Sequence, residues 1–297
     1  MNTKRLAGCG TALVTPFTKS GEIDEKSLRS FVEWQISSGV HFLVPCGSTG
    51  EAATLTTAEH RSVVEITVEQ TAGRVPVVAG AASNDTRKAI ALSREMESAG
   101  ATHLLHASPM YNKPPQRGIV AHFRAIADAV HIPIVVYNVP GRTASNIEAA
   151  TTLELAEHEN IVAVKEASGN PSQISEIIRH RPARFSVLSG DDPLTLQVMV
   201  DGGDGVISVT SNAAPQLVAQ LTELCAAGTF DAARAIHHQL AEWTAAAFIE
   251  SNPIPVKAGL AMMGKMSNVL RLPLVSLAER YEPTVRAALV SVGALTA

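Results

Sequence analysis

Eight short apolar runs recur along the chain, each followed by a segment with helical periodicity. They occupy 9–14, 41–46, 75–79, 102–107, 133–138, 161–166, 185–189 and 205–209. Runs that are apolar at nearly every position suit strands buried on both faces, as in a parallel sheet covered by helices. Helix-starting signals fall in the gaps. Asp24 precedes Glu25-Lys26-Ser27-Leu28-Arg29, Thr57 precedes Ala58-Glu59-His60-Arg61, and Asn84-Asp85-Thr86 opens 87–99. In each, a side-chain oxygen can cap the first turn. Gly39 and Gly100 follow as natural stops. Eight such units in about 225 residues predict a (β/α)8 TIM barrel of the α/β class, with reactive groups on the carboxyl ends of its strands. An open doubly wound sheet is the rival. Its dinucleotide loop is missing, because Gly8-Cys9-Gly10 lacks a third glycine and precedes the first strand.

After Val209 the texture changes. The segment 213–227 completes the eighth unit, and 230–248 is alanine-rich and helical. Asn252-Pro253-Ile254-Pro255 then breaks the chain before a further helix and a last one near 283–292. The expected organisation is a catalytic barrel over 1–227 and a C-terminal helical appendage over 228–297. Gly259 and Gly264-Lys265 imitate a phosphate loop, but Met266 stands where Ser or Thr is needed and no strand precedes.

With 46% hydrophobic and 18% charged residues, the chain has a large core available. A net charge of −4, no basic block and 4% aromatics argue against nucleic acid and anionic membranes as partners. Cys9, Cys46 and Cys225 are odd in number and far apart, which suits reduced thiols. No apolar run is long enough to span a bilayer, and residues 1–8 lack the apolar core of a signal peptide. A cytoplasmic protein is expected.

Ile161-Val162-Ala163-Val164 runs straight into Lys165 and then into the turn Glu166-Ala167-Ser168-Gly169. Lys165 therefore sits at a strand's carboxyl end, half inside an apolar wall. Burial disfavours the ammonium and makes the amine a nucleophile for carbonyl carbon. The structural alternative is a strand-capping lysine paired with Glu166. The second run ends in Gly47-Ser48-Thr49-Gly50-Glu51, whose glycines let successive N–H groups and two hydroxyls face one anion, or simply make a turn. Two of the three tyrosines, Tyr111 and Tyr137, stand at or just beyond strand ends. A phenol near a buried amine can pass protons. Arg142 offers a planar fork for a carboxylate, or a surface ion pair. No metal-ligand set is found. His103 and His106 lie three apart on a strand and face opposite sides, and His237-His238 reads as solvated helix surface.

Taken in order, Gly47-Ser48-Thr49-Gly50-Glu51, Tyr137-Asn138-Val139-Pro140-Gly141-Arg142-Thr143, Val164-Lys165-Glu166-Ala167-Ser168-Gly169, Ser189-Gly190-Asp191-Asp192, Gly205-Val206-Ile207-Ser208 and Asn252-Pro253-Ile254-Pro255-Val256-Lys257 resemble the dihydrodipicolinate synthase family. That family belongs to the Schiff-base pyruvate aldolases, which also include N-acetylneuraminate lyase. The resemblance implies a lyase of lysine and diaminopimelate biosynthesis, without cofactor or metal, in which Lys165 forms a covalent imine with pyruvate. It further implies that Ser48 and Thr49 receive the pyruvate carboxylate and that the Ile207 carbonyl lines the same pocket. Tyr137 would shuttle protons through Ser48 to Tyr111, which reaches in from a neighbouring subunit of a dimer-of-dimers homotetramer. Arg142 would bind the carboxylate of L-aspartate 4-semialdehyde, giving 4-hydroxy-tetrahydrodipicolinate.

There are departures. Ser48 stands where many members have threonine, and Met110 where many have an aromatic residue at the subunit contact. Around Ala52, Ala53, Thr57, His60, Asn84 and Lys88, the region resembling a lysine feedback site, Thr57 and Lys88 replace a histidine and a glutamate. Lys88 would repel a ligand ammonium, so weak or absent inhibition by L-lysine is expected. The runner-up reading is another pyruvate-dependent aldolase or dehydratase acting on a sugar-derived or other 2-keto acid. A third is a silent barrel that senses a keto acid.

Overall fold

The computed structural model describes residues 5–296. The reading of residues 1–8 as free of a leader rests partly on 1–4, which lie outside that range. All eight strands are present and parallel: β1 (Gly8–Ala12), β2 (Phe42–Val44), β3 (Val78–Gly80), β4 (His103–Ala107), β5 (Ile134–Asn138), β6 (Ile161–Glu166), β7 (Ser186–Ser189) and β8 (Gly205–Ser208). Their order is β2-β1-β8-β7-β6-β5-β4-β3. A parallel bridge between Leu43 and Val77, with Gly80 N–H donating to the Pro45 carbonyl at 2.9 Å, joins the two ends. The sheet closes on itself, so the open-sheet rival is excluded and the (β/α)8 barrel holds.

Several boundaries fall inside the apolar runs. β2 stops at Val44 because Cys46 takes a left-handed conformation, φ 57°, that ends the ladder. The helix Thr57–Thr71 is capped by Thr56 rather than Thr57. The Thr56 hydroxyl accepts from Glu59 N–H, and the Glu59 carboxylate accepts from Thr56 N–H, a reciprocal capping box. Asp24 and Asp85 cap Glu25–Ser37 and Thr86–Ser98.

Strand alternation divides the core in two. Ala12, Phe42, Val44, Val78, Leu105, Val135, Ala163, Leu188 and Ile207 pack together inside the barrel. Their neighbours Leu43, Ala79, Leu104, Val136, Val164, Val187 and Val206 face the helices. Phe42 fills the interior only because Gly10 stands beside it: a Cβ there would lie 1.9 Å from the ring. After β8, the helices Phe230–Ala246, Ile254–Met262 and Glu282–Ser291 continue the outer core through Trp243, Val256, Leu260 and Leu289. Trp243 Nε1 donates to the Thr210 carbonyl at 2.9 Å, pinning the first of them beside the end of β8. Among the described residues no helix is long and apolar enough to cross a membrane, and the three cysteines are free and buried.

Candidate active site

The carboxyl ends of the strands surround a cavity of about 700 Å³ lined by Ser48, Thr49, Tyr137, Arg142, Lys165, Asp191 and Asn252. Lys165 and Tyr137 are register partners across β5 and β6. They share the inward phase with Ala163 and Val135, so both side chains enter the barrel mouth from adjacent strands. Lys165 Nζ sits 4.2 Å from the centroid of the Tyr137 ring. The next strand leaves room for it. A Cβ on Gly190 would lie 2.9 Å from Lys165 Cγ.

Lys165 is 5% exposed. Burial lowers its pKa from 10.5 to about 8; Arg142 also lowers it, while Asp192 opposes both. The Tyr137 phenol is pushed up to about 12, first by burial, and is therefore protonated at neutral pH. Lys165 does not pair with Glu166, which lies on the opposite phase of β6. The Glu166 carboxylate instead accepts from Ser168 N–H at 2.8 Å, Asn138 Nδ2 at 3.1 Å and Gln173 Nε2 at 3.3 Å. Asn138 Oδ1 in turn accepts from Ile147 N–H at 2.9 Å. This network outside the barrel holds β5 and β6 in the register that brings amine and phenol together.

The loop after β2 is bracketed by two left-handed residues, Cys46 (φ 57°) and Glu51 (φ 54°). Such conformations cost side-chain-bearing residues about 1–3 kcal/mol and persist only when other contacts enforce them. Here a buried ion pair does so. Lys257 Nζ, 0% exposed, donates to Glu51 Oε1 at 2.6 Å and to the Thr15 carbonyl at 2.9 Å, and lies 4.3 Å from the Phe17 ring centroid. Arg271 N–H donates to Glu51 Oε2 at 3.1 Å. The turn so held leaves the Ser48 and Thr49 N–H groups without partners among the described residues. Thr49 is buried, and its hydroxyl accepts from Asn252 Nδ2 at 2.9 Å. Arg142 donates to the Asn252 carbonyl at 3.3 Å.

Five of the seven residues singled out in the sequence therefore meet at one mouth. Ile207 packs inside the barrel as the next-to-last residue of β8. Tyr111 does not join its own chain's cavity: it is 89% exposed, with φ 73°, on a loop tied to Asn84 through Met110 and Asn112. The Ser48 hydroxyl, exposed at the rim, bonds to neither phenol within the chain. Asp191, Asn252 and the Glu51–Lys257 pair were not assigned a role from the sequence. Lys257, a lone charge in the apolar helix Ile254–Met262, is the signal that could have revealed a buried partner. Among the described residues no group of three or more His, Cys, Asp or Glu side chains could hold a metal ion.

A model of the dihydrodipicolinate synthetase family matches residues 5–292. The chain belongs to that family. It is 47% identical to 4-hydroxy-tetrahydrodipicolinate synthase of Chloroherpeton thalassium, over 100% of this chain and 99% of that one. It is 51% identical to the Koribacter versatilis protein of the same name, over 91% of each. Among solved structures, dihydrodipicolinate synthase from Aquifex aeolicus superposes with a TM-score of 0.95 at 42% identity, covering 97% of this chain and 98% of that chain. Family membership accounts for the shared barrel and for the order of its mouth motifs.

Proposed function

We propose that the protein is a lyase that condenses pyruvate with L-aspartate 4-semialdehyde through an imine on Lys165, giving 4-hydroxy-tetrahydrodipicolinate for lysine and diaminopimelate synthesis in the cytoplasm. The observation that carries this reading is a buried lysine of lowered pKa facing a phenol at the mouth of the barrel. The neutral amine adds to the pyruvate ketone. Tyr137, protonated, gives its proton to the carbinolamine oxygen as water leaves. The iminium withdraws electrons, so a methyl proton of pyruvate can depart and leave an enamine whose carbon attacks the aldehyde, the resulting alkoxide taking a proton. The second substrate's amine, once deprotonated, then adds to the re-formed iminium carbon and expels the Lys165 amine as the ring closes. A cation beside Tyr137 also lowers the phenol's pKa, which suits its phenolate to take the methyl proton.

The unpartnered Ser48 and Thr49 N–H groups receive the pyruvate carboxylate, near the Ile207 carbonyl, and Arg142 takes the carboxylate of the aldehyde. Tyr111, on a strained and exposed loop, completes the relay from Tyr137 through Ser48 in the mouth of a neighbouring subunit, within a dimer-of-dimers tetramer. The barrel over 1–227 carries the chemistry, and the appendage over 228–297 braces its rim. Holding both substrates in one mouth removes much of the entropic barrier to forming the carbon–carbon bond.

Borohydride added with pyruvate should fix one pyruvyl group per chain by intact mass, on Lys165. A coupled assay should then prefer aspartate semialdehyde to sugar aldehydes; faster turnover of a sugar aldehyde would move the assignment to a sibling lyase. Weak control by L-lysine is also expected. Ala52, Ala53, Thr57 and His60 line the outer part of the cavity, and Lys88 lies exposed on the neighbouring helix. Its charge disfavours an incoming ammonium. Half-inhibition at sub-millimolar L-lysine in a steady-state assay would overturn this.

A further inference from the structure

Lys165 stands in the mouth with no bonded partner for its charge. Among the described residues Lys257 is the only lysine in an ion pair, and the Glu166 carboxylate is occupied behind the barrel. The titratable and charged groups around Lys165 are Tyr137 from β5, Arg142 from the connection after it, and Asp191 and Asp192 from the turn after β7. Arg142 disfavours a cation on Lys165, and Asp192 favours one. The turn that carries Asp192 is pressed onto the lysine. Gly190 N–H donates to the Glu166 carbonyl at 2.7 Å, and a Cβ on Gly190 would lie 2.9 Å from Lys165 Cγ and 3.0 Å from Cε. Two residues on, Asp192 is 6% exposed and lies behind the cavity wall rather than in it. One of its oxygens accepts from the Ser208 and Thr210 hydroxyls at 2.5 and 2.7 Å, and the other from Val209 N–H at 2.9 Å. Its oxygens accept all three bonds and donate none, the pattern of an ionised carboxylate. Trp243 Nε1 fixes the same segment from behind through the Thr210 carbonyl.

We propose that Asp192 is the fixed counter-charge of the imine on Lys165, a positioning residue that acts on the nitrogen from behind the cavity wall. The inference rests on the function proposed above and assigns a residue to the cationic intermediate which that reading requires. Neutral amine, ketone and one proton give iminium and water, so the nitrogen bears a positive charge for as long as the imine lasts. Its surroundings are buried and already hold Arg142, which makes a further cation costly. A carboxylate whose three hydrogen bonds are made before substrate arrives offsets that cost with no rearrangement at the moment of reaction. Because Asp192 makes no direct bond to Lys165, it favours the iminium without tying up the free amine in a salt bridge. The amine therefore keeps a pKa of about 8 and stays available as a nucleophile.

Asp192→Asn tests this at constant shape. The amide oxygen can accept from Val209 N–H, and the amide nitrogen can donate to the Ser208 and Thr210 hydroxyls once they turn. Borohydride trapping of pyruvate gives two readings. The pH midpoint of the imine-formation rate, normalised to its plateau, should fall by about half a pH unit or more, leaving about three-fold more neutral amine on the acid side. At about pH 9.5 the amine is neutral in both proteins. There the pyruvate concentration for half-maximal trapping should nonetheless rise by about three-fold or more, because the iminium has lost its counter-charge. Thr210→Val removes one donor to Asp192 and leaves the charge, so the midpoint should stay in place. Asp192→Thr, neutral and smaller, is read in the same way should Asp192→Asn fold poorly. An unchanged or raised midpoint, an unchanged half-maximal concentration, or an equal fall of the midpoint in Thr210→Val would overturn the inference. Trapping on the unsubstituted protein keeps the two claims apart. If pyruvate is trapped there and Asp192→Asn moves nothing, only the counter-charge is lost; if none is trapped, the Lys165 chemistry goes with it.

Discussion

Lys165→Ala should lower kcat by about 10⁴-fold or more, because no other amine at the mouth can form the imine. Lys165→Arg keeps a cation in place and should be equally inactive, which separates nucleophilicity from charge. The same residue sets a pH dependence. An amine of pKa about 8 is roughly one-tenth neutral at pH 7, about 300-fold more than an unperturbed lysine would be. Imine formation requires the neutral form, so its rate at saturating pyruvate should climb as pH rises through about 8 and then level off. Rapid borohydride quenching across pH 6 to 10, at about one-unit steps, measures this directly. A rate still rising steeply beyond about pH 9.5 would mean that the amine is not depressed. Normal turnover by Lys165→Ala would remove the mechanism.

Lys257→Met should destabilise the fold by about 3–5 kcal/mol, because it strips the partner from a buried carboxylate. Glu51 would keep Arg271 N–H but lose its one ion-paired contact among the described residues, and the Thr15 carbonyl would lose its Lys257 donor. The damage should spread to function. Glu51 holds a left-handed conformation at the end of the 47–51 loop, and without Lys257 that turn can relax and misdirect the Ser48 and Thr49 N–H groups. KM for pyruvate should therefore rise in the protein that remains folded. Pairing Lys257→Met with Glu51→Gln should recover part of the lost stability, since both charges are then gone. Denaturant unfolding of the two single variants and the double variant gives the coupling energy. A single-variant loss below about 1 kcal/mol would show that the pair is not holding the loop.

The parts of this molecule legible in the sequence are those written in local pattern. The eight strands show because barrel strands are apolar on both faces. Lys165 shows because a charge interrupts such a run. Its supposed pairing with Glu166 fails on the period of two that places consecutive residues on opposite faces of β6. Thr56 was missed as the cap because the reciprocal bond with Glu59 depends on which of two adjacent threonines leaves the helix. Asn252 read only as a break before two prolines. Its meeting with Thr49 and Arg142 spans separations of 203 and 110 residues, and no local pattern encodes such contacts. Tyr111 shows the complementary limit: its position after a strand was plain, but its exposure and positive φ emerge only from the folded loop.

The pairing of Tyr137 with Lys165 in one parallel ladder has a consequence for how such a protein can change over time. Amine and phenol are spaced by the peptide scaffold and locked from behind by Asn138 and Glu166, whereas Arg142, Asp191 and Asn252 ride on connections beyond the strands. Mutation can reshape these connections without disturbing the spacing of amine and phenol. Change at the rim is thus open to a lineage at small cost to the geometry of the paired strands.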